Sequence, residues 1–282
     1  MKNDRIRSNT HRENLFSPQE RQDILNRLLS ALKGDPRIAA VLVVGSGAVG
    51  FDDCYSDIDL SVVATNEKDV LPVYQEWRAR IEKLLPVIHC CEVIYGPNSY
   101  LYAFLLDGFA ELDAGFVCLA NLLARRQRWK IAFDRSGKIE DIMRSSWEKK
   151  SEVDTKAGYL NRIDGIWHYI IHVPVALKRG QPWMALHYLE IIRNRAVELA
   201  GLRHRLETKN FRHVDRMPKG FLIELQKSLV STVDHTAIMN ALRVATTCFF
   251  HQARALDQML GLNIAGHLES KMHTYIQLFV EK

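Results

Sequence analysis

GSGAVGFDDCYSDIDL, residues 45–60, links two apolar runs, IAAVLVV (38–44) and IDLSVVA (58–64). Both runs read as strands, and the first, apolar throughout, suits a strand covered on both faces. Gly45 and Ser46 end that strand in a turn or short helix. Glycine lets the backbone approach a ligand closely, and the turn's amides and the Ser46 hydroxyl can donate to phosphate oxygens. Strand side chains alternate, so Asp57, Asp59 and Ser61 share a face. Paired carboxylates beside a phosphate-binding turn suit a hard divalent cation such as magnesium, which takes one or two carboxylates plus substrate phosphates. Two such ions can activate an attacking oxygen and neutralise a leaving pyrophosphate. A third carboxylate is expected from a neighbouring strand. Asp113, in AELDAGFV (110–117), is placed for that role, and Glu111 shares its face.

Working outward, SPQERQDILNRLLSALK (17–33) predicts a helix with Ser17 as N-cap, Pro18 in the first turn and Glu20 completing a capping box. A second helix is predicted over 68–85 and a strand over VIHCCEVIY (87–95). LYAFLLDGFAELDAGFV (101–117) reads as a hairpin turning at Asp107-Gly108. ARRQRWK (124–130) reads as a basic, solvated helix end. Beyond residue 145 the pattern becomes helical, with helices predicted over 150–178, 183–200, 218–231, 234–259 and 267–280. The expected division is therefore 1–144 and 145–282. The aromatic residues Tyr159, Trp167, Trp183 and Tyr188 are read as helix packing. Glu190 and Arg193, on one helix, are candidates to line a substrate pocket.

Hydrophobic content of 47% and charged content of 25% are globular values that exclude a disordered chain. The net charge of +5 is too mild to mark a nucleic-acid binder, so nucleic acid is not the expected partner. Residues 145–282 carry a net +6 and residues 1–144 a net −1. An odd count of five cysteines, with no C-x-x-C, reads as reduced thiols and a cytoplasmic location. The polar start, MKNDRIRSNTHREN, has no apolar signal segment, and no apolar run approaches membrane-spanning length.

V-V-G-S-G-A-V-G, followed by S-D-I-D-L, resembles the signature of the DNA polymerase beta-type nucleotidyltransferase superfamily. The helical second half resembles the substrate-binding domain of bacterial aminoglycoside, streptomycin and lincosamide nucleotidyltransferases. The resemblance implies an α+β protein: a nucleotidyltransferase domain with a mixed β-sheet flanked by helices, then an all-α bundle. FDRSGKI (133–139) resembles the strand-like segment that follows the catalytic core in such proteins. The implied reaction joins a hydroxyl of a small, antibiotic-type acceptor to a nucleoside monophosphate, AMP from ATP, and releases pyrophosphate. By this resemblance Gly45, Ser46 and Ser56 would hold the nucleotide, and Asp57, Asp59 and Asp113 would ligate two magnesium ions. Asp113 or Glu92, the latter in CCEVIYG, would be the general base. Transfer to a protein or RNA, and a non-catalytic nucleotide-binding module, are the alternative readings. Members of this superfamily are often homodimers.

Overall fold

The computed structural model describes residues 15–126, 128–151 and 154–279. The polar start at 1–14 and the last residue of the 267–280 helix lie outside them. The chain divides into two compact units, residues 1–152 and 153–282. A boundary at 144/145 would cut helix α3 (Ile139–Ser151), whose Ile139 and Met143 pack on the strands before it, so the division falls at the end of that helix.

The first unit is built on a six-stranded mixed sheet. Its strands are β1 (Ile38–Val44), β2 (Ile58–Ala64), β3 (Val87–Gly96), β4 (Ser99–Leu106), β5 (Glu111–Cys118) and β6 (Trp129–Asp134), in the order β3-β4-β5-β2-β1-β6. Neighbouring strands run antiparallel except β2 and β5, which run parallel. The chain makes that parallel crossover through α2 (Val70–Leu84), β3 and β4.

Helices α1 (Pro18–Lys33) and α2 cover one face. Ile24, Leu28, Trp77 and Ile81 pack there on Ile58, Leu60, Phe104, Leu112 and Phe116. The capping box of α1 forms: the Ser17 hydroxyl accepts from the Glu20 amide, and the Ser17 amide donates to the Glu20 carboxylate at 2.8 Å. It satisfies two donors that a bare helix end leaves unpaired, worth about 1 kcal/mol. On the opposite face α3 covers Ala40, Leu42 and Val63. Asp59, Ser61, Asp113 and Gly115 border an open cavity beside it.

The second unit is helical throughout: α4 (Thr155–Ile163), α5 (Ile166–Lys178), α6 (Pro182–His204), α7 (Lys219–Lys227), α8 (His235–Leu260) and α9 (Ala265–Gln277). The single helix anticipated over 150–178 is broken at Asp164-Gly165, because Gly165 takes φ +68°, a left-handed conformation that ends one helix and starts the next. The helix anticipated over 218–231 stops at Lys227. The core is a continuous apolar cluster along α6 and α8, with Leu189, Ile192, Ala196, Leu242, Phe249 and Phe250 fully buried. One buried polar tie crosses it. The Tyr159 hydroxyl donates to Asp257 at 2.7 Å, and the other Asp257 oxygen accepts the Ile264 and Ala265 amides that open α9. Tyr159 is buried, as expected, whereas Trp167 is half-exposed and Trp183 is 74% exposed. The indole of Trp183 therefore does not serve the helix packing the sequence suggested.

Candidate active site

The site is set by register. Asp59 in β2 lies directly beside Asp113 in the parallel strand β5. Both side chains point to the face opposite α1 and α2, since Ile58, Leu60, Leu112 and Ala114 take the helix-covered face. Asp59 is 5% exposed and Asp113 half-buried. Burial, and then the neighbouring carboxylates of Asp59, Asp57 and Glu111, push the Asp113 carboxyl up to about 6. Asp57 stands exposed just ahead of β2.

Gly45 opens a 3₁₀ turn, Gly45–Val49, at the end of β1. Its φ is +73°, and a Cβ placed there would lie 2.3 Å from Arg126 Nη1 and 2.7 Å from Asp59 Oδ2. Only glycine lets the backbone pass so close to the acid pair. The Gly45 amide donates to the Arg128 carbonyl at 3.1 Å, so it is not a free phosphate donor as the sequence suggested. Ser46, next in the turn, is exposed.

The loop before β2 is held from both sides. Asp53 accepts the Tyr55 amide at 2.8 Å and the Ser56 hydroxyl at 3.1 Å, closing a local turn. Arg21 of α1, 2% exposed, donates to the carbonyls of Phe16, Cys54 and Ser56. Ser56 thus faces its own loop, and its expected part in nucleotide binding has no support from its side-chain direction. Arg21 escaped the sequence reading. Its signal was a charged residue on the same helical stripe as Ile24, Leu25, Leu28 and Leu32.

Glu92 is not brought to the acid pair. It stands opposite Tyr102 on β4 and therefore on the helix-covered face, whereas Asp113 stands opposite Ala103 on the other. Glu92 accepts from the Tyr74 hydroxyl at 3.1 Å and pairs with Arg78, both on α2. Arg193 is likewise engaged. It is buried in the helical unit, donates to the Ser228 hydroxyl at 3.0 Å and clamps both Glu190 oxygens at 2.6 Å. The Arg193–Ser228 bond ties α6 to the end of α7, a structural duty for Arg193 in place of the expected substrate contact.

The basic stretch 124–130 holds the largest departure from expectation. The described residues there form an irregular segment leading into β6, not a helix end, and Arg126 Nη1 bonds Asp59 Oδ2 at 2.6 Å. Arg125 stacks over the Tyr95 ring at 4.8 Å. Both arginines line the cavity that contains Asp59 and Asp113, with Ser61, Tyr100, Asn121 and Leu123.

The donor set fits a hard cation. Two carboxylates sit side by side, their repulsion is felt at Asp113, and a positive charge already compensates Asp59. Among the described residues no three His, Cys, Asp or Glu side chains form a ready-made metal cluster. Two carboxylates completed by substrate phosphates match how magnesium is commonly held.

A turn with a close-approach glycine, next to in-register carboxylates on an open sheet face, defines a domain suited to phosphoryl-group transfer. The chain belongs to the streptomycin adenylyltransferase family, whose sequence model matches residues 19–279. It is accordingly a nucleotidyltransferase enzyme of the adenylyltransferase kind. Among solved structures it is similar to an aminoglycoside 6-adenyltransferase from Bacillus subtilis, with 15% identity over 94% of this chain and 99% of that one and a TM-score of 0.46. No curated protein sequence matches it significantly. No helix among the described residues is long and apolar enough to cross a membrane.

Proposed function

We propose that the enzyme transfers the adenylyl group of ATP to a hydroxyl of a small, antibiotic-type acceptor and releases pyrophosphate. The observation that carries this reading is the in-register pairing of Asp59 and Asp113 beside the Gly45 turn. Family membership supports the adenylyl donor and the class of acceptor.

Each part of the site has a role in that reaction. Ser46, exposed in the turn after β1, donates to the triphosphate. Asp59 and Asp113, assisted by Asp57, would hold magnesium. When bound, the metal would lower the charge on the triphosphate and help the pyrophosphate leave. Asp113, beside the metal position, would take the acceptor's hydroxyl proton. The acceptor oxygen then bonds to the α-phosphorus as the bond from that phosphorus to the β-phosphate oxygen breaks. Glu92 has no part in the chemistry, since the sheet separates it from Asp113.

The test is pyrophosphate release with magnesium and ATP across streptomycin, other aminoglycosides, lincosamides, simple sugars and tRNA. Acceptor-dependent release with one of the small molecules, lost in Asp59→Asn, is the expected result. Release with tRNA alone, or release that survives Asp59→Asn, would overturn the proposal.

A further inference from the structure

We propose that Arg126 is a displaceable counter-cation of this site. Without nucleotide it neutralises Asp59; when the magnesium nucleotide binds, it leaves Asp59 and pairs with the triphosphate. This inference rests on the proposed function and adds a residue to it.

A carboxylate 5% exposed beside a second carboxylate is costly to keep charged, and a nearby cation lowers that cost. Arg126 supplies that charge at 2.6 Å. Its guanidinium also occupies the ground next to the phosphate turn, 2.3 Å from where a Cβ on Gly45 would sit. It therefore lies beside both the turn that would receive the phosphates and the carboxylate that would receive the metal. A metal ion that takes Asp59 Oδ2 would meet the guanidinium at close range, and the repulsion of the two cations favours Arg126 moving off.

The surroundings permit this. The Arg126 side chain is 39% exposed and borders the open cavity. The backbone on either side is anchored: Leu122 and Ala124 are buried, the Ala124 amide donates to the Ser146 hydroxyl at 2.8 Å, and Trp129 pairs with Val44. The side chain is thus the part free to swing. A guanidinium released from a carboxylate finds a matching partner in a phosphate, because its planar fork of N–H donors suits both. The neighbouring Arg125 is held over the Tyr95 ring.

The exchange predicts opposite effects on two ligands, which a merely structural role would not produce. Manganese binding to the nucleotide-free protein, followed by electron paramagnetic resonance, should tighten about fivefold in Arg126→Ala, the reach of one partly exposed ion pair. Binding of magnesium ATP, followed by calorimetry without acceptor, should weaken about tenfold, the scale of one charge-assisted hydrogen bond. Arg126→Gln, which keeps a polar side chain of similar reach, should shift both constants the same way and covers the case in which the alanine variant folds poorly. Manganese affinity that is unchanged or weaker, or ATP affinity that is unchanged, would overturn the exchange. Wild-type protein that binds neither manganese nor ATP would instead overturn the proposed function. Wild-type binding that Asp59→Asn abolishes, with Arg126 variants indistinguishable from wild type, would sink this inference alone.

Discussion

Replacing Arg21 by methionine isolates a residue that never meets a ligand yet fixes the loop bearing Asp57. Methionine keeps the bulk and the flexible stem but removes the guanidinium, which donates to three backbone carbonyls at a position 2% exposed. A hydrogen bond to a charged group contributes about 1.5–3 kcal/mol, and orphaned carbonyls keep the cost of their lost hydration. The three bonds share one side chain and are not additive, and loop carbonyls that relax toward water recover part of the loss. A total near 3 kcal/mol follows. For a unit of this size each kcal/mol moves the midpoint by about 2–4 °C, so unfolding of the first unit should fall by about 6–12 °C. Scanning calorimetry of wild type and Arg21→Met reads this directly. Because the loop loosens around Asp57, manganese affinity should fall in the same variant while Asp59 and Asp113 remain in register. A midpoint shift below about 2 °C with unchanged manganese affinity would show that the three bonds do not hold the loop, contrary to their geometry.

Asp113→Asn should reduce acceptor-dependent pyrophosphate release by at least about a hundredfold, the usual contribution of a general base, while Glu92→Gln leaves it within about threefold; equal losses would contradict the assignment by sheet face. Gly45→Ala should lower both stability and ATP binding, with about 1–2 kcal/mol from the left-handed backbone alone; calorimetry that finds a neutral or stabilising change would refute the close approach. Asp35 is buried and bonded to Arg37, Trp77 and Arg80, and the Arg37 hydrogen bond holds its carboxyl well below the usual range. A pKa depressed by folding stabilises above the unfolded value, near about 3.9, and that contribution is lost as pH falls through the folded value. Asp35→Asn should therefore be less stable than wild type at neutral pH, with the gap narrowing in strong acid; urea unfolding with a constant gap down to pH of about 2 would contradict it. In the helical unit, Tyr159→Phe should cost about 1–2 kcal/mol by denaturant unfolding and Asp257→Ala more, since the latter also frees the two amides that open α9.

Local signals carried the fold a long way. Strands β1 and β2 fall on the residues their apolar runs marked, the Ser17 capping box starts α1, and Asp107-Gly108 turns the β4–β5 hairpin. Alternation pointed to Asp57 and Asp59 with Asp113 as a third carboxylate; Asp57 lies just ahead of β2, and the register sets Asp59 beside Asp113. What local pattern does not encode is which distant groups share a face. Glu92 lay in a strand of the right kind, but its face depends on the β3–β4 register, which only the assembled sheet fixes. The partner of Asp59 is 67 residues away in sequence, and nothing near Arg126 marks it as other than a surface cation. Arg193 failed for a related reason. A helical wheel gives it a face, but only the approach of Ser228 makes that face interior. The break at Gly165 was visible as a glycine, yet helices tolerate single glycines, and the left-handed backbone was the deciding fact.

The parallel pairing of β2 and β5 also bears on how the protein assembles. Hairpins β3–β4 and β4–β5 are local and can form early, whereas β2 meets β5 only after the whole stretch through α2, β3 and β4 has folded back. That late closure is the step that brings Asp59 and Asp113 into repulsive contact. Two carboxylates side by side oppose that pairing, and the Arg126 charge beside Asp59 offsets part of the cost. The site thus lies on the one strand pairing among the described residues that joins distant stretches of chain in parallel.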